Sequence, residues 1–350
     1  MNIDYISLGF VSNDHLAVLP FIPQDTKVKM LSHAILGGGP AGNAAAGYAV
    51  LAASAGSAAA GPRVAFLGTI GDDADGKMIL EEFAREGVET RFMKTRRGAS
   101  SAIAYLWIDQ PTGARSCVWT REGLDELTAE EIEGNSEIVS LIEHAKILHL
   151  DGHNAAGAIA AAKIAKKAGV TIMYDAGTIR DGMEELLPLA DLLICSGEFA
   201  VSVAAGKTAL VKEPYTRSEV EAAVRELYAK YEPKVCGATM GVNGSVAYDG
   251  ENMVSCPAFH VEQVIDTTGC GDLYHVGFAL RYSELCDARR ETRDAGDVAQ
   301  FSIFNSSFSI LLACQRFGAA VSALKCRGVS GRPPACPTRA EVEAFLAANS

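Results

Sequence analysis

The chain has 350 residues, a formal net charge of −12 and a 49% hydrophobic composition, enough to bury a large core in one big α/β domain or a main domain with a small appendage. An acidic balance with no basic stripe argues against nucleic acid as a partner. Nine cysteines without a C-x-x-C pair point to reduced thiols in a cytoplasmic protein, and no leader or unbroken apolar span marks a membrane segment.

Asp4-Tyr5-Ile6-Ser7-Leu8-Gly9-Phe10 reads as a buried strand that exits into the polar cluster Ser12-Asn13-Asp14-His15. Substrates in open α/β sheets lie beyond the carboxyl ends of the strands, which puts Asp14 where it can bond to hydroxyls. Gly37-Gly38-Gly39-Pro40-Ala41-Gly42-Asn43 then opens an alanine-rich helix. Gly37, Gly39 and Gly42 spell the dinucleotide pattern G-x-G-x-x-G, but that reading needs an acid about 20 residues on, and none stands between Asp25 and Asp72. The Ala52 to Pro62 segment, rich in Ala, Gly and Ser, reads as a lengthened loop before a strand at Arg63 to Thr69.

Gly71-Asp72-Asp73-Ala74-Asp75-Gly76-Lys77 nearly spells a P-loop, yet Met78 replaces the Ser or Thr and three aspartates would repel phosphate. Gly206-Lys207-Thr208 fails likewise, with Val201 where the leading glycine belongs. An amphipathic helix is expected at Lys77 to Glu86, and Ser101 to Asp109 with Ala114 to Thr120 flank Gln110-Pro111-Thr112-Gly113 as a hairpin. From Lys146 on, strands at Ile147 to Leu150, Val170 to Tyr174 and Asp191 to Cys195 alternate with helices such as Ala155 to Ala168, which implies parallel strands. Asp151 and Asp175 end two of them and face one crevice. His149 and His153 have zinc-pair spacing only on a helix, and His149 is on a strand. Thr216-Arg217-Ser218-Glu219 and Thr338-Arg339-Ala340-Glu341 are capping boxes, and Val235 to Thr239 is a strand between them. Ala299 to Cys326 is a long apolar helical stretch, too broken to span a membrane.

The stretch Asp266-Thr267-Thr268-Gly269-Cys270-Gly271-Asp272, before the apolar run Leu273 to Leu280, carries most of the chemistry. Glycines let the backbone approach a ligand, and a helix start directs free N–H groups at an anion. Asp272 at that helix start should be held as a carboxylate by the helix dipole and be able to take a proton. An anion cradle beside a base suggests phosphoryl transfer.

This stretch resembles the C-terminal signature Asp-Thr-x-Gly-Ala-Gly-Asp of the ribokinase-like, or PfkB, carbohydrate kinases, with Cys270 for the usual alanine. The resemblance covers almost the whole chain. It implies a single three-layer α/β/α domain over 1–350, with a central mostly parallel sheet and a small β-sheet lid drawn from roughly 11–36 and 99–120. Gly38, Gly39 and Asn43 match the family's Gly-Gly-x-x-x-Asn and Asp14 its sugar-binding aspartate, Ser12 standing for an asparagine. Asp151 matches an acid near the sugar. On the nucleotide side Thr239 and Gly241 match a Thr-x-Gly, with Gly244 following. Ser196 and Phe199 occupy the positions of Asn-x-x-Glu, so Glu198, one position early, is the candidate substitute.

The activity so implied is ATP-dependent phosphorylation of a sugar hydroxymethyl group, ketohexose or ribose-like. Asp272 is the general base, and the turn amides of Gly269, Cys270 and Gly271 stabilise the transferring charge. ATP and Mg2+ are the expected cofactors, with a monovalent cation such as K+ beside Asp266 as a further candidate. The expected partners are sugar and ATP, with a homodimer formed through the lid. A nucleoside kinase of the same fold, and a catalytically impaired sugar-binding relative, stay open. Arg115 on the hairpin reads as a solvated strand arginine or as a contact for an anionic sugar. The 301–315 segment reads as an insertion.

Overall fold

The first strand is shorter than its apolar run: Tyr5–Leu8 (β1) stops before Gly9, where a side chain would strike the carboxylate of Asp151 at 2.1 Å. The computed structural model describes residues 3–53, 63–210, 214–294 and 307–349. Strands are numbered in chain order: Ser12–Leu19 (β2), Ser32–Gly38 (β3), Val64–Leu67 (β4), Thr69–Gly71 (β5), Val88–Glu89 (β6), Lys94–Arg96 (β7), Ile103–Asp109 (β8), Arg115–Thr120 (β9), Ile147–Leu150 (β10), Thr171–Ala176 (β11), Leu192–Ser196 (β12), Val235–Thr239 (β13), Ser245–Tyr248 (β14) and Met253–Cys256 (β15). A nine-stranded sheet runs β15-β14-β13-β12-β11-β10-β1-β4-β6, parallel from β6 to β13 and closed at the other edge by two antiparallel pairings.

Both faces of that sheet are covered, so its strands are near-continuous apolar runs whose alternate residues feed two cores. Leu148, Ile172 and Leu193 belong to one, Ile147, Met173 and Ile194 to the other. The first core is capped by Ala129–Glu133 (α3), Ser136–His144 (α4), Ala155–Ala168 (α5), Met183–Leu186 (α6), Gly197–Ala204 (α7) and Arg217–Tyr231 (α8). The second is capped by Pro40–Ala52 (α1), Ala74–Glu86 (α2), Cys270–Asp294 (α9), Ser307–Lys325 (α10) and Arg339–Ala348 (α11). The expected three-layer α/β/α architecture is thus present. Both expected capping boxes form, at Thr216 with Glu219 and Thr338 with Glu341. Asp73 N-caps α2 by accepting from the Gly76 amide at 2.8 Å, a cap and not a phosphate loop.

Ser12, Asn13 and Asp14 are not a strand exit but the start of β2, which belongs to a second sheet ordered β3-β2-β8-β9. Its register sorts the side chains by face. Ala104 opposite Trp119, Leu106 opposite Cys117 and Ile108 opposite Arg115 look inward, while Tyr105 opposite Val118, together with Trp107, looks out. The 52–62 loop lies almost wholly outside the described residues, as do 301–306 of the expected insertion; its remainder opens α10. Among the described residues α10 alone is long and apolar enough to cross a membrane, yet it packs Leu311, Cys314, Phe317 and Val321 into the second core.

Candidate active site

Three polar side chains meet at the carboxyl edge of the large sheet: Asp175 near the end of β11, Ser196 ending β12 and Thr239 ending β13, with Ser196 and Thr239 in direct register. Above them the 266–272 turn enters α9. Gly269 has φ +77°, and a Cβ there would lie 2.4 Å from Gly331 Cα, so only glycine fits. The amides of Gly269, Gly271 and Asp272 have no partner among the described residues, whereas Cys270 N–H is spent on Thr267 O at 3.3 Å. The turn, the sheet edge and the inner face of the second sheet enclose a cavity of about 490 Å³. Ser12, Asp14, Gly39, Asn43, Asp175, Ser196, Thr239, Gly269, Gly271, Asp272 and His275 line it, with Phe10, Arg115, Cys117, Trp119, His153 and Arg180 along the remaining wall.

Asp272 is half-buried at the head of α9, and Asn43 Nδ2 donates to its Oδ2 at 2.7 Å. Burial and the neighbouring Asp175 raise its pKa against the pull of the Asn43 bond, so the helix dipole does not dominate as the sequence suggests. His275, one helical turn on, stands 3.1 Å from Asp175 Oδ2 through Nδ1. With the imidazole protonated the two form a buried ion pair. Burial opposes ionisation of both partners. The His275 charge nevertheless holds Asp175 low, and Asp175 holds His275 high.

On the opposite wall, burial raises Asp14 to about 6, partly offset by the hydroxyl of Ser12, which donates to Oδ1 at 2.7 Å. Gly38 does not line the cavity. It makes room for Asp14, whose carboxyl carbon would stand 2.1 Å from a Cβ at that position. Gly39, at φ +82°, passes against Phe10 O and does line it. Asp151 is turned elsewhere: its oxygens accept from the amides of Phe10 at 2.8 Å, Ala41 at 3.2 Å and His153 at 2.9 Å. It ties β1, α1 and the 151–153 turn together and leaves the cavity without its carboxylate.

Four further expectations change. Ser196 Oγ is taken as the N-cap of α7, accepting from Phe199 N at 3.1 Å, and Phe199 is fully buried in the first core. Glu198, Gly241 and Gly244 lie off the cavity lining; Gly244, φ +83°, serves the β13–β14 turn against Cys256 O. Cys270 turns its sulfur away, 3.2 Å from Cys326 Sγ. Beside Asp266 the place considered for a monovalent cation is filled by the buried ammonium of Lys325, which donates to Asp266 O at 2.6 Å and lies 3.5 Å from Asp266 Oδ2. His149 accepts or donates at Tyr5 Oη, 2.6 Å away, while His153 stacks on Phe10, so the two do not converge on a metal.

The model of the pfkB family of carbohydrate kinases matches residues 11–335. The chain belongs to the pfkB family. An ATP-dependent ribose-1-phosphate kinase of Halopiger xanaduensis is similar at 25% identity over 305 residues, 83% of this chain and 92% of that protein. A ribokinase of Haemophilus influenzae is 25% identical over 342 residues, 97% of each chain. The solved structure of Arabidopsis thaliana ribokinase complexed with ribose and ATP superposes with a TM-score of 0.72 at 24% identity, covering 99% of both chains. The fold is ribokinase-like, and as a pfkB carbohydrate kinase this protein is a phosphotransferase. Sequence reasoning missed the site's His275, His153 and Arg180. His275 was the most accessible, since residues three apart on a helix share a face.

Proposed function

We propose that this pfkB kinase transfers the γ-phosphoryl group of ATP to a hydroxymethyl group of a sugar, with Asp272 as general base. The observation that carries the reading is one carboxylate, oriented by Asn43, beside three unspent amides at the mouth of a helix. A sugar lies against Asp14 and Gly39, with its reacting hydroxyl at Asp272. That carboxylate takes the proton as the oxygen attacks phosphorus in line. A base raised toward neutrality is better matched to this transfer than an ordinary aspartate. The amides of Gly269, Gly271 and Asp272 favour the charge on the transferring group, and Ser196 and Thr239 border the nucleotide.

No group of three His, Cys, Asp or Glu among the described residues could cage a metal. Magnesium therefore fits as an ion carried by the polyphosphate and water, supplying charge neutralisation. The inner face of the four-stranded sheet covers the cavity, which supports a lid that excludes water during transfer. Its outer aromatic face supports a homodimer through the same sheet. All nine cysteines are unpaired, in keeping with a reducing compartment such as the cytoplasm.

The test is ADP release measured across panels of sugars and nucleosides. A sugar should turn over, and Asp272→Asn should lower kcat on the order of a hundredfold or more with little change in KM for ATP. Near-normal turnover in that variant removes Asp272 as the base. Turnover confined to nucleosides makes the protein a nucleoside kinase, and thermal stabilisation by a sugar without turnover makes it a binding protein.

A further inference from the structure

The arginines of the interior divide into two sets. Arg96 binds Glu131, Arg332 binds Glu86, Arg121 binds Glu126 and Arg339 binds Glu284. Arg180, half-buried on the cavity wall after β11, makes no hydrogen bond or ion pair through its guanidinium among the described residues. Next to it His153 is 4% exposed, stacked on Phe10 with ring centroids 4.8 Å apart, and its Nδ1 has no partner. A desolvated cation and an orphaned imidazole on one wall are costly unless a ligand completes them. We propose that Arg180 and His153 form an anion subsite for the acceptor, so that the sugar carries a phosphate or carboxylate at the end away from the hydroxyl that Asp272 activates.

Burial, followed by Arg180 and Arg121, lowers the imidazole to about 3, so His153 is neutral and offers an N–H. Arg180 supplies the charge and a planar pair of donors. Asp14 and Asp272 suit hydroxyls and are answered by the cavity's other arginine, the exposed Arg115 of β9. The strongest charged neighbour of Arg180 is instead Asp151, whose oxygens are already taken by three backbone amides, so an anion's place is at Arg180. The nucleotide's phosphates already have the unspent amides of the 269–272 turn.

This deepens the kinase reading and rests on it, so the experiment has a binding arm as well as a turnover arm. Matched sugars with a neutral, carboxylate or phosphate terminus are compared by kcat/KM and by thermal shift. The anionic forms should be preferred, and which anion is better identifies the substrate class. Arg180→Gln should reduce the anionic-to-neutral preference by roughly tenfold to a hundredfold, in both kcat/KM and apparent affinity. Equal use of neutral sugars by the wild type, or a rise in KM for ATP with the preference intact, overturns the proposal. Anion-dependent stabilisation lost in the variant, without any turnover, would uphold the subsite while removing the kinase reading.

A second observation is independent of the first. Cys270, inside the signature turn, and Cys326, just past α10, have their sulfurs 3.2 Å apart, and Ser322 Oγ donates to Cys270 O at 2.6 Å. We infer that this pair is a redox switch on the catalytic turn, closed by a peroxide. The thiolate of Cys326 attacks hydrogen peroxide, giving a sulfenic acid and water once the leaving hydroxide is protonated. The Cys270 thiol then displaces a second water to form the disulfide, so two thiols and one peroxide yield one disulfide and two waters. The hydrogen bond from Cys270 draws the Cys326 thiol down to about 7, which favours the attacking thiolate.

Bonding shortens the contact by roughly 1 Å, pulling on the first turn of α9 that carries Gly271 and Asp272. Treatment with hydrogen peroxide should abolish turnover, dithiothreitol should restore it, and peptide mass spectrometry should find Cys270 joined to Cys326. Cys326→Ser should resist. Equal loss in that variant, or oxidation elsewhere such as at exposed Cys117, would falsify the switch.

Discussion

Asp14 and Gly38 act as one unit, because the strand pairing that sets Ser12 opposite Gly38 also lays the Asp14 carboxylate over the glycine. Gly38→Ala should displace that carboxylate. The expected result is a rise in KM for the sugar of roughly tenfold or more, the scale of a lost charge-assisted hydrogen bond, with KM for ATP little changed in steady-state kinetics. The pH dependence at Asp14 has two signs. Its folded pKa, about 6, is above the ordinary 3.8. The folded state therefore holds the proton more tightly, and stability present below about pH 4 is lost as pH rises through about 6. Sugar binding runs the other way, since only the ionised form accepts two hydroxyls. KM should climb as pH falls below about 6, and Asp14→Asn should flatten that profile and gain Tm relative to the wild type between about pH 4 and 7.

The signature turn is held from outside its own helix. Asp266 accepts from Thr268 N at 2.8 Å, Thr268 Oγ1 at 2.7 Å and Ser330 N at 2.8 Å, and Lys325 at the end of α10 supplies its countercharge in a fully buried setting. Removing one partner of such a pair costs about 3–5 kcal/mol. Lys325→Met should lower the denaturation midpoint accordingly and reduce turnover, by loosening the turn that aims Gly271 and Asp272. Because an ammonium already fills this place, wild-type turnover should be indifferent to added potassium. Several-fold stimulation by potassium would show that the cation acts at a separate site.

Viewed as a whole, the two larger sheets of the molecule have opposite economies of burial. The large sheet is covered on both faces. The small one covers the cavity with one face and leaves Tyr105, Trp107 and Val118 at 47%, 42% and 61% exposure on the other. Aromatic and β-branched residues gathered on one open face favour self-association. Trp107→Glu should shift a dimer to monomer in sedimentation equilibrium while leaving the far-ultraviolet circular dichroism intact; a wild type that is monomeric at micromolar concentration refutes the interface.

The sequence by itself determined the alternation of strands and helices, the capping boxes at Thr216 and Thr338, the turn at 266–272 and its family. Each is written in local spacing, where turn chemistry and hydrophobic period act within a few residues. Tertiary structure alone decided that Ser12 to Asp14 open a strand, because a strand's pairing partner is remote in sequence. It also assigned Asp151 to backbone amides, Glu198 to a place off the cavity and Lys325 to the cation's place beside Asp266. Carboxylates look alike in sequence, and only the groups packed against them fix what they do. Arg180 and His153 reach the cavity that Asp14 and Asp272 line from beyond the ends of two strands remote from both in sequence, a juxtaposition that no local pattern encodes.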